Sequence, residues 1–381
     1  MTRSSAMKQA AVLLFLAVAS FTRAADPSLE LTLPPRWYAV PGVPMSLYYD
    51  NIVLTEKPGS FRFEVTCDIG KSEPRRWTVT ATDRDAGDHA MKVVIKDAGG
   101  AVLQQGETIL SVVPRNAGEG RDLRLLIVGD SLTAATIYPN DIGKLLGGPG
   151  NPKWKMIGTS KPQSAGPGVA HEGYGGWRWS TFLKEWDPQP AGTAAGPVTR
   201  RRTSPFLFPG PDNRGALDLK RYFQEQSEGR PPDVVTFLLG INDCFAAKPD
   251  DIAEMDKTIN AALDNADALL AAFHKAAPNA VLAVGLTTPP NAREEGFVAN
   301  YKDRYHRWGW KRIQHRLVQR MLERLGGREK EGIRLVPTEL NVDPVDGYPV
   351  NNGVHPNAAG YSQIAASFYS WMKAWMAGAV K

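Results

Sequence analysis

Leu123-Arg124-Leu125-Leu126-Ile127-Val128-Gly129-Asp130-Ser131-Leu132 sets a short, almost wholly apolar run against a glycine, a carboxylate and a hydroxyl. Apolar side chains at successive positions, without the alternation of a half-exposed strand, suit a strand covered on both faces. Two more runs have this form: Val234 to Leu239, ended by Gly240, and Ala280 to Leu286, ended by Thr287-Thr288-Pro289-Pro290. Between them Ile252, Met255, Ile259, Leu263, Leu270 and Phe273 recur at helical spacing within Asp251 to Ala276. Trp308 to Leu325 repeats the pattern before a fourth strand, Ile333 to Val336. Strand alternating with helix predicts an α/β fold, a doubly wound parallel sheet whose ligands lie beyond the carboxyl ends of the strands.

Upstream the period changes. Phe61, Phe63, Val65 and Cys67 alternate with polar residues, as do Trp77, Val79 and Ala81, and turn signals stand at Pro58-Gly59, Asp68-Ile69-Gly70 and Asp97 to Gly100. Short strands at this spacing predict a small antiparallel, immunoglobulin-like sandwich over residues 25–115. The polar segment 116–122 is the expected linker, and 123–381 the α/β domain. Within it, residues 151–232 have few clear elements and are expected to be an insertion beside the site.

The first 24 residues form a separate unit. Arg3 and Lys8 precede an apolar run from Ala10 to Phe21, and Thr22-Arg23-Ala24 offers small residues at the cleavage positions, the pattern of a secretory signal. The run of about 12 residues falls short of the ~20 a membrane-spanning helix needs. A secreted or periplasmic protein with no membrane span after cleavage is therefore expected. Of the formal charge of +5, three positive charges (Arg3, Lys8, Arg23) leave with the leader, so nothing points to a nucleic acid partner. Arg200-Arg201-Arg202 and the basic stretch from Lys302 to Arg324 are expected to be a solvated loop and a helix face. Cys67 and Cys244 stand in different domains and are expected to be unpaired, buried thiols. The six histidines show no metal-ligand spacing, so neither metal nor cofactor is expected.

Chemistry-bearing residues fall where the strands end. In Gly129-Asp130-Ser131-Leu132 a hydroxyl follows a tight turn, from which it could attack a carbonyl while its own N–H helps hold the oxyanion. In Gly240-Ile241-Asn242-Asp243 an amide side chain could donate to the same oxyanion. Gly173-Tyr174-Gly175-Gly176-Trp177 brings flexible backbone, and Gly353-Val354-His355-Pro356-Asn357 holds a histidine able to accept the serine proton. Taken singly these read as an N-cap, an Asx-turn, a loop and a surface histidine.

In this order the four segments resemble the SGNH (GDSL) hydrolase superfamily, over about Leu123 to Met376. The resemblance implies a flavodoxin-like fold and a serine ester hydrolase with Ser131 as nucleophile and His355 as base. The N–H groups of Ser131 and Gly176 and the side chain of Asn242 would form the oxyanion hole. His171-Glu172-Gly173-Tyr174-Gly175-Gly176-Trp177 looks like the form of this block in members that deacetylate polysaccharides. An O-acylated carbohydrate is thus the expected substrate, with Trp177, Trp179, Phe206, Phe208 and Tyr222 as a candidate sugar-stacking rim. Lipase or small-ester hydrolase activity, and a catalytically inactive glycan-binding protein, are the alternatives.

One position departs from the family's pattern. Where an aspartate usually stands three residues before the histidine, this chain has Asn352. Asn352 could orient His355 through its carbonyl oxygen, a backbone carbonyl could do so beside a Ser-His dyad, or Asp343 or Asp346 could fold back into the role. Asp130 and Asp243 are expected to hold loop backbone rather than to titrate in the reaction.

Overall fold

The computed structural model describes residues 29–187, 203–210 and 212–380. The expected leader and the Arg200-Arg201-Arg202 run lie outside the described residues.

The N-terminal part is built from β1 (Arg36–Ala39), β2 (Pro44–Tyr48), β3 (Arg62–Thr66), β4 (Lys71–Glu73), β5 (Arg76–Thr80), β6 (Gly87–Lys96) and β7 (Val102–Val112). They form one sheet in the order β1-β7-β6-β3 and another in the order β2-β5-β4. The inward residues of the alternating runs, among them Leu47, Trp77, Val93 and Leu110, are buried, with Trp37 edge-on to Trp77 at 5.9 Å. One pairing differs from the antiparallel expectation: β1 runs parallel to β7, Arg36 opposite Ile109. After β1 the chain crosses at once into the other sheet, so β1 has no hairpin partner in its own.

The remainder is a parallel sheet of β8 (Asp122–Gly129), β9 (Lys153–Ile157), β10 (Glu172–Gly173), β11 (Val234–Leu238), β12 (Val281–Gly285) and β13 (Ile333–Val336). Its order is β9-β8-β11-β12-β13, with β10 pairing the last residues of β8. Counted along the chain this is 2-1-3-4-5, the flavodoxin-like arrangement, and the strand order reverses between β8 and β11. The helices around it are α1 (Ser131–Ala134), α2 (Ile137–Leu146), α3 (Trp179–Lys184), α4 (Leu219–Ser227), α5 (Ile241–Cys244), α6 (Ile252–Ala276), α7 (Glu294–Tyr301), α8 (Arg307–Leu325), α9 (Thr338–Asn341) and α10 (Ala358–Met376). The side chain of Asp251 caps α6 by accepting the Glu254 N–H, and the expected apolar stripe Met255, Ile259, Leu263, Leu270 and Phe273 is buried.

Residues 151–232, read above as short of regular structure, contain β9, β10, α3, α4 and a hairpin of Leu207–Pro209 with Gly215–Leu217. The edge strand β9 escapes notice because Lys153 and Lys155 interrupt its apolar side chains. Cys67 is partly buried, Cys244 fully so, and both are free.

The basic stretch on α8 is neutralised across its neighbour. Arg312 pairs with Asp250, Arg316 with Asp256, Arg324 with Asp264 and Asp267, and Arg328, just beyond the helix, with Asp267. Arg320 donates to the side chain of Asn260 at 2.9 Å. Among the described residues, no helix is long and apolar enough to cross a membrane.

Candidate active site

The reversal between β8 and β11 puts the ends of those two strands side by side. Gly129 closes β8, and a Cβ there would lie 1.9 Å from Thr133 Oγ1 and 3.0 Å from the Leu238 carbonyl oxygen. Close approach, rather than an unusual φ, therefore requires glycine. Asp130 then caps α1 by accepting the Leu132 N–H at 3.0 Å, and Ser131 becomes its first residue.

His355 arrives from the loop between α9 and α10. Its Nε2 stands 2.8 Å from Ser131 Oγ, and its Nδ1 3.0 Å from Asn352 Oδ1. That oxygen also accepts the N–H groups of Val354 at 3.2 Å and His355 at 3.0 Å. The two backbone donors fix the amide orientation, because an NH2 group there would face them with hydrogens of its own. Nδ1 therefore carries the ring proton, and Nε2 offers its lone pair to the serine hydroxyl. Burial holds the imidazole below its ordinary pKa, which favours this neutral form.

Asp343 and Asp346 do not reach His355. Both carboxylates pair with Arg75 from the N-terminal part, Asp343 at 2.9 Å and Asp346 at 2.7 Å. Burial would raise the Asp343 pKa, but Arg75 and the N–H groups of Val345 and Asp346 outweigh it and hold it low.

On the opposite side, the turn after β10 passes beside the serine. Gly176 has φ +80, with open space where a side chain would stand, and neither its N–H nor that of Ser131 has a partner among the described residues. Asn242, in the first turn of α5, directs its Nδ2 to the Trp177 carbonyl at 3.0 Å and to Asp130 Oδ2 at 3.2 Å. Its two amide hydrogens are thus engaged in this state. Asp243 lies 3.4 Å from the Trp179 N–H. Burial pushes both Asp130 and Asp243 up to about 7, and for Asp130 the neighbouring Asp243 adds to the rise.

Two buried residues that the sequence reading did not assign roles hold this turn. Glu172 accepts from Thr159 N at 2.7 Å, Thr159 Oγ1 at 2.8 Å, Tyr222 Oη at 2.6 Å, and from Tyr174 Oη. His171 Nδ1 accepts the Gly173 N–H at 3.1 Å, so Nε2 donates to Thr136 Oγ1 at 3.0 Å; burial pulls this histidine down to about 4 and keeps it neutral. A third is Asn291, wholly buried beyond the end of β12. Its Nδ2 donates to the carbonyls of Pro349 and Asn352, both at 2.9 Å, and its backbone N–H to Gly353. Only its place after an apolar run and two prolines could have signalled it.

The sugar-stacking rim is corrected. Trp177, Phe206 and Tyr222 are buried, packed in a chain of ring contacts that runs through Phe182 to Phe273, and buried Trp179 joins it through Phe237. Phe208 is partly buried under the Arg221 guanidinium, 4.5 Å from its ring centre. These aromatics build the core behind the turn because α3, α4 and α6 close over them. Among the described residues no group of three or more His, Cys, Asp or Glu could hold a metal ion.

The model of the GDSL-like lipase/acylhydrolase family matches residues 127–363. A search of the curated proteins finds no match. Among solved structures the chain is similar to a family 3 carbohydrate esterase of Clostridium thermocellum, at 16% identity and TM-score 0.41, over 68% of this chain and 100% of that one. It is also similar to a family 3 carbohydrate esterase from Talaromyces cellulolyticus, at 16% identity and TM-score 0.38, over 67% and 99%. A lipase from a goat rumen metagenome shares 13% identity at TM-score 0.34, over 65% and 95%.

Proposed function

Because the chain belongs to the GDSL-like lipase/acylhydrolase family, and so to proteins that act on esters, we propose that it is an exported serine esterase removing O-acyl groups, chiefly acetyl, from carbohydrate. The observation that carries the mechanism is the continuous chain Ser131 Oγ, His355 Nε2, His355 Nδ1, Asn352 Oδ1. Ser131 Oγ attacks the ester carbonyl carbon as its proton passes to Nε2. The oxyanion lies against the N–H groups of Ser131 and Gly176, and draws one Asn242 N–H away from the longer of its two contacts, that to Asp130. His355 then gives its proton to the leaving alcohol oxygen as the carbon–oxygen bond breaks. Water attacks the acyl-enzyme, loses a proton to Nε2, and the acid departs as Ser131 regains its hydrogen.

Asn352 keeps the tautomer correct without supplying a negative charge. Replacing an orienting aspartate by asparagine in serine proteases lowers turnover about 10⁴-fold, mainly through the wrong tautomer. Here the two backbone N–H groups turn Asn352 Oδ1, an acceptor, toward Nδ1 and so favour the correct tautomer, which supports an active enzyme over an inactive binding protein. Export rests on the leader pattern, and carbohydrate on the His171–Trp177 segment; the buried aromatics lend it nothing.

The test is labelling with a fluorophosphonate, followed by acetate release from acetylated xylan and from a short lipid ester. A Ser131 adduct with acetate released from the polysaccharide is expected. Folded protein without the adduct would sink the serine mechanism, and turnover confined to the lipid ester would sink the carbohydrate assignment.

A further inference from the structure

The N-terminal sandwich touches the α/β part on α8, through Asp50 and Thr32, on α10, through Tyr48, and at the loop that carries the base. Arg75 stands in the two-residue turn between β4 and β5. Its guanidinium meets Asp343 through two bonds, Nη1 to Oδ1 at 2.9 Å and Nη2 to Oδ2 at 3.2 Å, and Nη2 also meets Asp346 at 2.7 Å. Nearby, Asn51 Nδ2 donates to the carbonyls of Glu339 at 2.8 Å and Val342 at 2.7 Å, and the Ser46 N–H to Asn341 Oδ1 at 2.7 Å. From Asp343 the bonds run on toward the histidine as far as Asn357. The Gly347 N–H donates to the Asp343 carbonyl, the Asn357 N–H to the Gly347 carbonyl, and Asn357 Nδ2 to the Asp346 carbonyl at 2.8 Å. Asn357 is two residues beyond His355, with Pro356 stiffening the step between them. Buried Asn291 holds the other side, at Asn352 and Gly353.

We propose that Arg75 is a positioning residue for His355, so that the sandwich is a working part of the catalytic apparatus rather than an appended binding module. The inference rests on His355 being the base. An Arg fork matched to a carboxylate fixes angle as well as distance. A base displaced by about 1 Å loses on the order of 10²-fold in rate, and partial release of one anchor is expected to give part of that loss.

The test compares Arg75→Ala, Arg75→Lys and, as a control on the exposed face of β3, Arg62→Ala. Two readings are taken: kcat and KM for an acetyl ester, and the His355 imidazole resonances by NMR. Arg75→Ala is expected to lower kcat about tenfold with KM within twofold and to shift the His355 resonances. Arg75→Lys should recover part of kcat, and Arg62→Ala should change neither reading. A folded Arg75→Ala protein with wild-type kcat and unmoved His355 resonances overturns the proposal, as does an equal loss in Arg62→Ala. If wild-type protein hydrolyses no ester, the esterase reading fails by itself, and the resonances still decide whether Arg75 acts on His355.

Discussion

Asn352→Asp isolates the charge missing beside His355. Asn352 Oδ1 already accepts three N–H groups, and a carboxylate oxygen can accept the same three, so the loop has no reason to move. With Oδ1 3.0 Å from Nδ1, the centres of the two delocalised charges lie about 4 Å apart. At an effective dielectric near 20 their attraction is about 4 kcal/mol. Desolvating the new carboxylate offsets part of this, leaving a rise of roughly 1–3 pKa units for the imidazole. The sign follows: the acid limb of kcat/KM moves to higher pH, activity on that limb falls, and on the plateau the imidazolium formed in the transition state is better stabilised. A plateau gain of about tenfold or more corresponds to about a third of the Coulomb figure reaching the barrier. The assay is the pH profile of kcat/KM for an alkyl acetate, which reports the free enzyme. An acid limb that stays where it was would falsify the Asn352–His355 contact, whatever happened to the rate.

Other outcomes follow from the same geometry. Ser131→Ala should abolish the fluorophosphonate adduct and lower kcat by about 10⁴-fold or more, read in a burst-free ester assay. Asn242→Ala should lower kcat by about 10²–10³-fold with a smaller change in KM; an unchanged kcat would leave the oxyanion to backbone N–H groups alone. Glu339 is buried with both carboxyl oxygens unpartnered, and burial raises it from 4.5 to about 8. The folded state thus keeps a proton that the unfolded chain loses above about pH 4.5, and stability falls as pH rises from there to about 8. Glu339→Gln should remove that slope, worth at most roughly 4 kcal/mol, in urea unfolding at pH 5 and pH 8; parallel slopes in both proteins would refute it.

What could be read in advance follows the distance over which each feature is decided. Strands β8, β11, β12 and β13 are covered on both faces and announce themselves as apolar runs, and α6 carries its stripe and its cap within its own residues. Ser131, Asn242 and His355 could be chosen because each stands at a strand end or in a short block of its own. The partner of His355 could not be decided that way. Asp343, Asp346 and Asn352 are all near enough along the chain, and the choice depends on Arg75, 268 residues before Asp343, drawing two of them aside. The aromatic residues misled for a related reason. Their spacing around α3 and α4 does not tell whether α6 closes over them, and it is the buried face of α6, through Phe273, that takes them into the core.

The arginines of α8 carry a consequence for how the protein would be handled. Each rung across to α6 and the turn before it ends on an acidic or amide side chain, so a count of positive groups overstates what an approaching polyanion meets on that flank. A sulfated resin would find there a surface of alternating sign, held in register by the two helices. Retention on such a column should track the remaining, unpaired lysines and arginines of the molecule. Raising the salt would then release the protein without loosening the helix pair, because the shorter, partly covered rungs are screened less than the long-range attraction that retains it.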